Sequence, residues 1–388
     1  MKTFISFITI LLTTSSLFGG TIKTKTYHPG SDAIFDVAST IVYGKKDAYL
    51  IDVQFQKQYA EELVNEIKAL KRNLKLVYIS HSDPDYYFAT DIIKKNFPNA
   101  KIVSTAQTAY LINASKDGKL AVWSPQLKND APSEIIIPEA ITTLPDLEGN
   151  KIEIKQTLED PAHSFLWIPS IKTILGGISV SEGAHIWMAD TQTKTALNQW
   201  IQQIDNMKAL KPSVVIPSHF LNKDFSPKIL DFVKDYLIKF KEENEKYETA
   251  DKVITSLKEI YPNLPGIDNL ELGAKVYKGE MNWDLKNPYP AIGRKITVDF
   301  GELKFDLDFK DHQHMSFIGT AGSLKNITDN VEYTAIEVAN NIFMVYWIEP
   351  KIGARVVNIQ DYNNNTIYTN IAGKDSSFNH LQGKLQIK

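Results

Sequence analysis

The sequence predicts an α/β sandwich followed by a small antiparallel β-barrel, within a chain of 388 residues. Up to about residue 262, apolar strand runs alternate with segments that carry apolar residues at helical spacing, a pattern typical of layered α/β domains. Beyond residue 290, strand runs follow one another with turn signals roughly every eight to twelve residues, as in small β-barrels. The change of period indicates two domains.

The composition supports a folded protein and excludes several classes of site. Hydrophobic residues make up 43% of the chain and charged residues 23%, which is ordinary for globular proteins. Lys and Arg number 43 against 46 Asp and Glu, and no long basic run occurs, so nucleic acid is not expected as a partner. The absence of cysteine excludes disulfides, thiolate metal ligands and cysteine nucleophiles.

The N-terminus has the features of a secretory signal peptide. Lys2 precedes an apolar stretch over residues 4–12, and the small residues Gly19 and Gly20 follow. No other segment approaches the 18 or so apolar residues of a membrane span. We therefore expect cleavage near residue 20 and a periplasmic or secreted protein that has no membrane attachment after signal removal.

The α/β region begins with a hairpin, because a Gly-Lys-Lys-Asp turn separates two runs of strand-forming residues. Helical and strand patterns then alternate, which predicts parallel strands joined by helices. The predicted elements are strands 41–43 and 48–53, helix 59–70, strand 75–80, helix 91–96 and strand 101–105. Later come short strands between residues 135 and 168, helix 193–210, strand 213–218, and helices 231–247 and 250–260.

Pro262, Pro265 and Gly266 break the last of these helices. We therefore predict a signal peptide over residues 1–20, an α/β domain over 21–262, a linker over 263–290 and a barrel over 291–388. The predicted barrel strands are residues 295–300, 303–309, 315–319, 331–338, 342–348, 354–360, 366–370 and 383–387.

Chemically active side chains cluster at the ends of predicted strands. Residues 81–86 read His-Ser-Asp-Pro-Asp-Tyr and follow an apolar strand directly, so that alternate side chains from His81, Asp83 and Asp85 can converge on a cation. His163 and His219 lie at other strand ends. Several histidines at strand exits, with acids among them, predict a metal site.

Taken in order, these elements resemble the metallo-β-lactamase superfamily over residues 31–222. The resemblance rests on the hairpin that carries Asp52, on residues 81–86, on the loop at His163, on residues 174–178 and on His219. Residues 331–361 resemble the MoaF-type, calycin-like barrel in their strand pattern and aromatic residues. The resemblance implies a metallo-β-lactamase αββα sandwich with a MoaF-like barrel appended.

The chain departs from the His-x-His-x-Asp-His signature of that superfamily. Asp83 stands at the second histidine, Tyr86 at the last histidine, and Ile178 at an aspartate that usually bridges two metals. The resemblance implies one metal ion held by His81, Asp83 and His163, whereas only Asp85 and His219 remain of a second site. Zinc is the expected ion, and iron or manganese also suits a carboxylate-containing set.

The resemblance further implies a metal-dependent hydrolase that acts on a small molecule, with Asp85 orienting or deprotonating the attacking water. Tyr86 and His185 are the expected substrate contacts, although His185 also suits a core position. Two alternatives stay open: a binding protein that lost its catalytic ligands, and a mononuclear iron redox protein. Substrate choice is expected to lie in loops such as residues 113–132.

Overall fold

A computed structural model describes residues 20–157, 163–283, 289–311, 313–339 and 341–388. The apolar stretch of the expected signal peptide lies outside the described residues. Among the helices that are described, none combines the length and the apolar character needed to cross a membrane.

The first layer of strands is a six-stranded sheet. Its strands are β1 (Lys23–Tyr27), β2 (Ser39–Tyr43), β3 (Asp47–Ile51), β4 (Asn73–Tyr78), β5 (Lys101–Ser104) and β6 (Glu139–Ala140). They follow one another across the sheet in chain order, antiparallel from β1 to β3 and parallel from β3 to β6. The parallel strands therefore deliver their following loops to one edge of the sheet.

The second layer is a smaller sheet that packs against the first. Its strands are β7 (Glu153–Lys155), β8 (Phe165–Ile168), β9 (Thr173–Leu175) and β11 (Val214–Ile216), in the order β11-β9-β8-β7, beside a short pair formed by β10 (Ser181–Glu182) and β12 (His219–Phe220). Tyr49 and Ile51 from the first sheet share a core with Leu166, Ile168 and Leu175 from the second. The alternation along each strand supplies these inward residues.

Helices cover the outer faces of both sheets. On the first sheet lie α1 (Lys57–Ala69), α2 (Pro84–Tyr87), α3 (Thr90–Asn96) and α4 (Ala106–Leu127); on the second lie α5 (Lys194–Ala209), α6 (Ile229–Lys246), α7 (Ala250–Ile260) and α8 (Ile267–Tyr277). Leu63 and Ile67 of α1 pack on Leu50 and Val77 of the sheet, as their spacing predicts. The layers are helix, sheet, sheet and helix, which confirms the predicted αββα class.

Two segments differ from the sequence-based expectation. Residues 113–132, expected to be a loop, lie largely in the 22-residue helix α4, which begins after the cap Thr105 and contains Pro125 near its end. Within the expected linker, α8 is helical, and its Leu270 and Ala274 belong to the core under α5 to α7. In both places tertiary packing of a few apolar residues stabilises a helix where the sequence led us to expect a loop or a linker.

The C-terminal part is a closed eight-stranded antiparallel barrel. Its strands are β13 (Lys295–Asp299), β14 (Lys304–Phe309), β15 (His314–Ala321), β16 (Thr328–Ala339), β17 (Ile342–Ile348), β18 (Arg355–Asp361), β19 (Thr366–Ala372) and β20 (Phe378–Ile387). Pairing of Ile296 with Ile387 closes the barrel between its first and last strands. All eight strands were predicted.

The barrel rests on the α/β domain at the start of α4. Tyr289, Ala291 and Ile292 precede β13 and share the barrel core with Ala106. The Gln107 side-chain amide donates to the Ile292 carbonyl oxygen at 2.6 Å. One helix thus contacts the barrel at its first turn and continues along the α/β domain.

Candidate functional site

The site is built where β4 ends. The strand stops at Tyr78, the chain turns through His81, and Pro84 begins α2, where the fixed φ of proline suits a first helical position. Asp83 is the residue before that helix, and the Tyr86 amide donates to its carbonyl oxygen at 3.1 Å. This local turn leaves Asp83 partly exposed and buries Asp85 and Tyr86.

A buried carboxylate fixes the backbone beneath the site. Asp52 has a left-handed backbone (φ 60°), and its oxygens accept from the Ser80 amide at 2.7 Å and the Ser80 hydroxyl at 2.6 Å. The Ser80 hydroxyl oxygen also accepts from the Gly177 amide at 2.7 Å. Burial raises the pKa of Asp52 to about 7. Asp52 thus joins the ends of β3 and β4 to the turn after β9.

His81 faces its own loop. Its Nδ1 accepts from the Asp83 amide at 3.2 Å, with an Asp83 carboxylate oxygen 3.5 Å away. Burial lowers the pKa of His81. A neutral ring that accepts at Nδ1 carries its hydrogen on Nε2. In this arrangement the outward nitrogen of His81 is a donor.

A lysine from α4 holds the neighbouring carboxylate. The Lys119 ammonium donates to the Ser82 carbonyl oxygen at 2.7 Å and lies 3.4 Å from an Asp83 carboxylate oxygen. Burial raises the pKa of Asp83, but the neighbouring His81 ring and the Lys119 ammonium outweigh it and bring that pKa below its ordinary value. Sequence reasoning missed Lys119, because it lies in the segment expected to be a loop.

His219 is held between two carboxylates. Its Nδ1 lies 3.0 Å from an Asp36 oxygen and its Nε2 lies 3.2 Å from an Asp85 oxygen. Burial lowers the pKa of His219, but the hydrogen bonds to Asp36 and Asp85 outweigh it and raise that pKa to about 10. His219 is therefore an imidazolium at neutral pH.

Asp36 and His28 extend this contact and were missed in the sequence. His28 Nε2 lies 3.7 Å from the second Asp36 oxygen, and its ring lies 4.3 Å from that of Phe220. Burial lowers the pKa of His28, so its ring is neutral. Both residues precede β2 in a stretch that carries no motif, so no local signal identifies them.

Tyr86 occupies the space between two site histidines. Its ring lies 5.2 Å from the His81 ring and 6.1 Å from the His219 ring. The side chain is fully buried, and burial raises the pKa of its phenol well above the ordinary value. Tyr86 is thus a neutral packing group, which differs from the expected contact with a substrate. Ile178 packs against the core of the first sheet.

His163 lies on the opposite side of the site. Its ring stacks on Trp200 with 4.9 Å between centroids, and its carbonyl oxygen accepts from the Gln203 side chain at 2.9 Å. The charge of His163 contributes to the lowered pKa of His81, so the two rings lie within electrostatic range. His163 thus lies within electrostatic range of His81, and its role as a metal ligand stays a prediction.

His185 belongs to a different part of the molecule. Its Nδ1 lies 3.0 Å from the Tyr236 hydroxyl, its ring packs against Tyr261, and its backbone amide donates to the Pro265 carbonyl oxygen at 2.8 Å. Only 1% of the residue is exposed. Of the two positions left open for His185, the structure shows the core position, beneath α6 and α8.

A further carboxylate borders the site. Asp190 accepts from the Trp187 indole at 2.6 Å and from the Trp283 indole at 2.8 Å. Burial and the charge of Asp83 raise the pKa of Asp190 to about 6. Asp190 is isolated in the sequence, and its environment arises only because the segment after α8 returns to the loop before α5.

These donor groups do not fit a metal ion in the arrangement observed. Among the described residues, no three or more His, Asp or Glu side chains are placed to hold one. The Asp83 carboxylate contacts Lys119, and both ring nitrogens of His219 face carboxylate oxygens. The five predicted ligands lie in one region, but their side chains contact other protein groups instead of facing one common point. They are His81, Asp83, Asp85, His163 and His219.

Comparison with known proteins separates the two parts of the chain. Residues 292–386 match the family model of MoaF-like proteins. No curated protein matches the chain. Similar solved structures include a metallo-β-lactamase from Pontibacter korlensis, which is 19% identical over 56% of this chain and 94% of that chain, with a TM-score of 0.40.

Two other solved structures are similar. A metallo-β-lactamase family protein from Thermus thermophilus is 12% identical over 66% of this chain and 93% of that chain, with a TM-score of 0.47. A β-lactamase-like protein from Burkholderia vietnamiensis is 28% identical over 27% of this chain and 100% of that chain, with a TM-score of 0.25. The MoaF-like resemblance predicted for the barrel is thus confirmed, on strands that the structure shows directly.

Proposed function

We propose that the α/β domain binds a small molecule at the His81–His219 site through its own charged side chains, without a resident metal ion. The observation that carries this proposal is the position of His219, which contacts Asp36 and Asp85 through its two ring nitrogens at 3.0 and 3.2 Å. The Lys119 ammonium likewise lies 3.4 Å from an Asp83 carboxylate oxygen. Protein cations thus stand beside all three carboxylates.

The site is accessible to a ligand. The side chains of Asp36, Asp83, Lys119 and His219 are each between 26% and 30% exposed. Three carboxylates face two cations, which leaves one negative charge, and Asp190 adds acidity nearby. This balance favours a ligand that carries a positively charged or hydrogen-bond-donating group.

The proposal is tested by measuring metal content and ligand charge preference together. Protein purified without added metal, and protein loaded with zinc and then dialysed, should both hold far less than one equivalent by elemental analysis. Benzylamine should bind more tightly than benzoate in calorimetric titrations, and Asp83→Asn should reduce that preference. Retention of one equivalent of metal, or tighter binding of benzoate, would contradict the proposal.

A metal-dependent hydrolase with one ion is the second candidate. The observation that favours it is the proximity of His81, Asp83 and His163, because the charges of the other two alter the pKa of His81. In this candidate these residues hold zinc, iron or manganese after rearrangement, and Asp85 serves as the base. It predicts one equivalent of metal that His81→Ala removes. Bound iron with a redox-active spectrum would instead favour a mononuclear iron redox protein.

We also propose that the protein is periplasmic or secreted, on the evidence of Lys2 and the apolar residues 4–12. N-terminal sequencing from the native host should begin near residue 20, and an intact Met1 would contradict the proposal.

The domain boundary is proposed to lie between α8 and β13. Limited proteolysis should cut between residues 278 and 290, and cuts confined to residues 31–222 would contradict that boundary.

A further inference from the structure

The outside of the barrel carries an exposed apolar surface on three neighbouring strands, β17, β18 and β19. Along each strand, side chains that point into the barrel alternate with side chains that point outward. Four of the outward side chains are charged or polar, namely Arg355, Asp361, Thr366 and Asn370. The other eight are apolar, namely Ile342, Met344, Tyr346, Ile348, Val357, Ile359, Tyr368 and Ala372. We call these residues the outer face.

The apolar part of the outer face is continuous and accessible. Met344 and Tyr368 lie on either side of Ile359 in the strand pairing. Tyr346, Tyr368 and Ile348 are 39%, 40% and 58% exposed, so no other described segment of the chain covers them. A contiguous exposed apolar surface of this kind typically marks a site of protein association.

Opposite charges stand at the two ends of the outer face, both on β18. Arg355 is exposed and has no hydrogen-bond or ion-pair partner among the described residues. Asp361, at the other end of the strand, accepts from the Asn364 side chain at 2.8 Å and from the Asn363 amide at 2.9 Å. These hydrogen bonds keep the pKa of Asp361 below its ordinary value, so it is a carboxylate. The outward residues between the two charges are apolar.

The two charges determine how two copies of the outer face can pack on each other. Sheets that pack face to face keep their strands within about 30° of each other. A two-fold axis parallel to β18 would place Arg355 over Arg355 of the second copy and Asp361 over Asp361. A two-fold axis across the strands, between Val357 and Ile359, instead places Arg355 over Asp361 of the second copy at both ends. Only this second arrangement brings opposite charges together.

The same axis also matches the apolar side chains. The strand pairing places Met344 and Tyr346 at the levels on either side of the axis, so that Met344 lies over Tyr346 of the second copy. One level further out, Ile342 lies over Ile348 in the same way. The outer face is therefore complementary to itself in charge and in apolar character. An isologous dimer requires this property, whereas association with a different protein does not.

We propose that the protein forms a two-fold symmetric dimer through the outer face, in which Arg355 of each copy pairs with Asp361 of the other. The closed barrel curves away on both sides of the three strands, so the interface is small. Its dissociation constant should therefore lie in the micromolar range, at about 1–100 μM. The dimer is independent of the function proposed for the His81–His219 site.

Sedimentation velocity of the full chain tests the dimer at about 1–200 μM, a range that includes the expected dissociation constant. The unmutated protein should shift from monomer to dimer over this range. Arg355→Asp and Asp361→Arg each bring like charges together at both ends of the interface, so each variant alone should dimerise at least about tenfold more weakly. An equimolar mixture of the two variants should form a heterodimer, because opposite charges then meet at both ends.

Two further variants complete the test. Asp361→Arg also removes the acceptor of the Asn363 and Asn364 amides, so its melting temperature is compared with that of the unmutated protein. If it does not fold, Tyr346→Lys takes its place and should also prevent dimerisation, because it puts an unpaired charge near the axis. Lys325→Asp is the matched control, since Lys325 is exposed between β15 and β16, outside the outer face.

The dimer proposal is overturned if the unmutated protein stays monomeric at about 200 μM, where the expected affinity predicts mainly dimer. It is also overturned if Arg355→Asp weakens dimerisation no more than Lys325→Asp, which would place the interface on another surface. A mixture of the two folded charge variants that stays monomeric would likewise exclude the pairing of Arg355 with Asp361.

Discussion

The α/β site and the barrel interior both bury polar side chains, but they satisfy them differently. At the site, Asp36 and Asp85 share His219, Asp83 contacts Lys119, and Asp52 accepts two hydrogen bonds from Ser80. In the barrel, Asn358, Gln360 and Thr369 each keep an atom that has no hydrogen-bond partner among the described residues. A buried charge requires a partner in the folded chain, whereas an uncharged amide or hydroxyl tolerates its absence.

The comparison has a functional consequence. Groups that already have protein partners contribute mainly to stability, and a ligand or metal must displace those partners to bind. Buried groups without partners lower the stability of the fold. Substitutions at the α/β site should therefore change stability as well as ligand binding, whereas removing an unpaired group from the barrel interior should cost little stability.

The largest effect is expected at Asp52. Replacing it with Ala removes the acceptor of the buried Ser80 amide and hydroxyl and leaves a non-glycine residue at φ 60°. The free energy of unfolding should fall by about 3 kcal/mol, as measured in urea. Asp52→Asn keeps an acceptor for the amide and tolerates the left-handed backbone, so it should lose much less. Equal losses in both variants would show that the carboxylate does not organise this turn.

The second prediction concerns His219. His219→Ala leaves Asp85 as an unpaired carboxylate, only 8% exposed, and leaves Asp36 with His28 alone, 3.7 Å away. The expected loss is about 2 kcal/mol, below the value for a fully buried pair because His219 and Asp36 are partly exposed. Adding Asp85→Asn to His219→Ala should recover part of the loss. No recovery would indicate that the two side chains do not share a charge.

Stability should also depend on pH through His219. Its pKa is about 10 in the folded protein and 6.5 in the reference state, so its contribution is complete below about pH 6.5 and disappears as the pH rises through 10. The unfolding free energy of the unmutated protein should therefore fall between pH 7 and 10 relative to His219→Gln. A constant difference between the two proteins across this range would contradict the charged state of His219.

Much of the fold was predictable, because local patterns decide it. The strands before His81 and His219 follow from local sequence patterns, but they belong to different sheets, so the proximity of the two histidines arises from the packing of the sheets. Each barrel strand alternates inward and outward residues, a signal that needs no tertiary information.

The partners of the site residues were not predictable in the same way. Asp36 is 183 positions from His219 in the chain, and Lys119 is 36 positions from Asp83. Neither stands in a motif. Lys119 was hidden further because residues 113–132 were expected to be a loop, where burial of Ile112 and Leu127 stabilises a helix. Tyr236 similarly fixes His185 from 51 positions away.

The smallest effect on stability is expected at Lys119, where a substitution should change the pKa of Asp83 but hardly change the free energy of unfolding. Lys119→Met removes a partly exposed ion pair, so the unfolding free energy should change by less than about 1 kcal/mol. The pKa of Asp83 should nevertheless rise, because Lys119 is one of the charges that hold it below its ordinary value. Carboxyl ¹³C NMR titration, with the resonance assigned from Asp83→Asn, measures that shift.

Lys116→Met is the matched control for this prediction, since Lys116 lies on the same helix and pairs with Asp117 instead. It should leave the Asp83 titration unchanged. If the two variants titrate alike, α4 does not supply a cation to Asp83, and that carboxylate becomes free to bind a metal ion. A rise confined to Lys119→Met instead identifies the ammonium as the partner that a metal ion would have to displace.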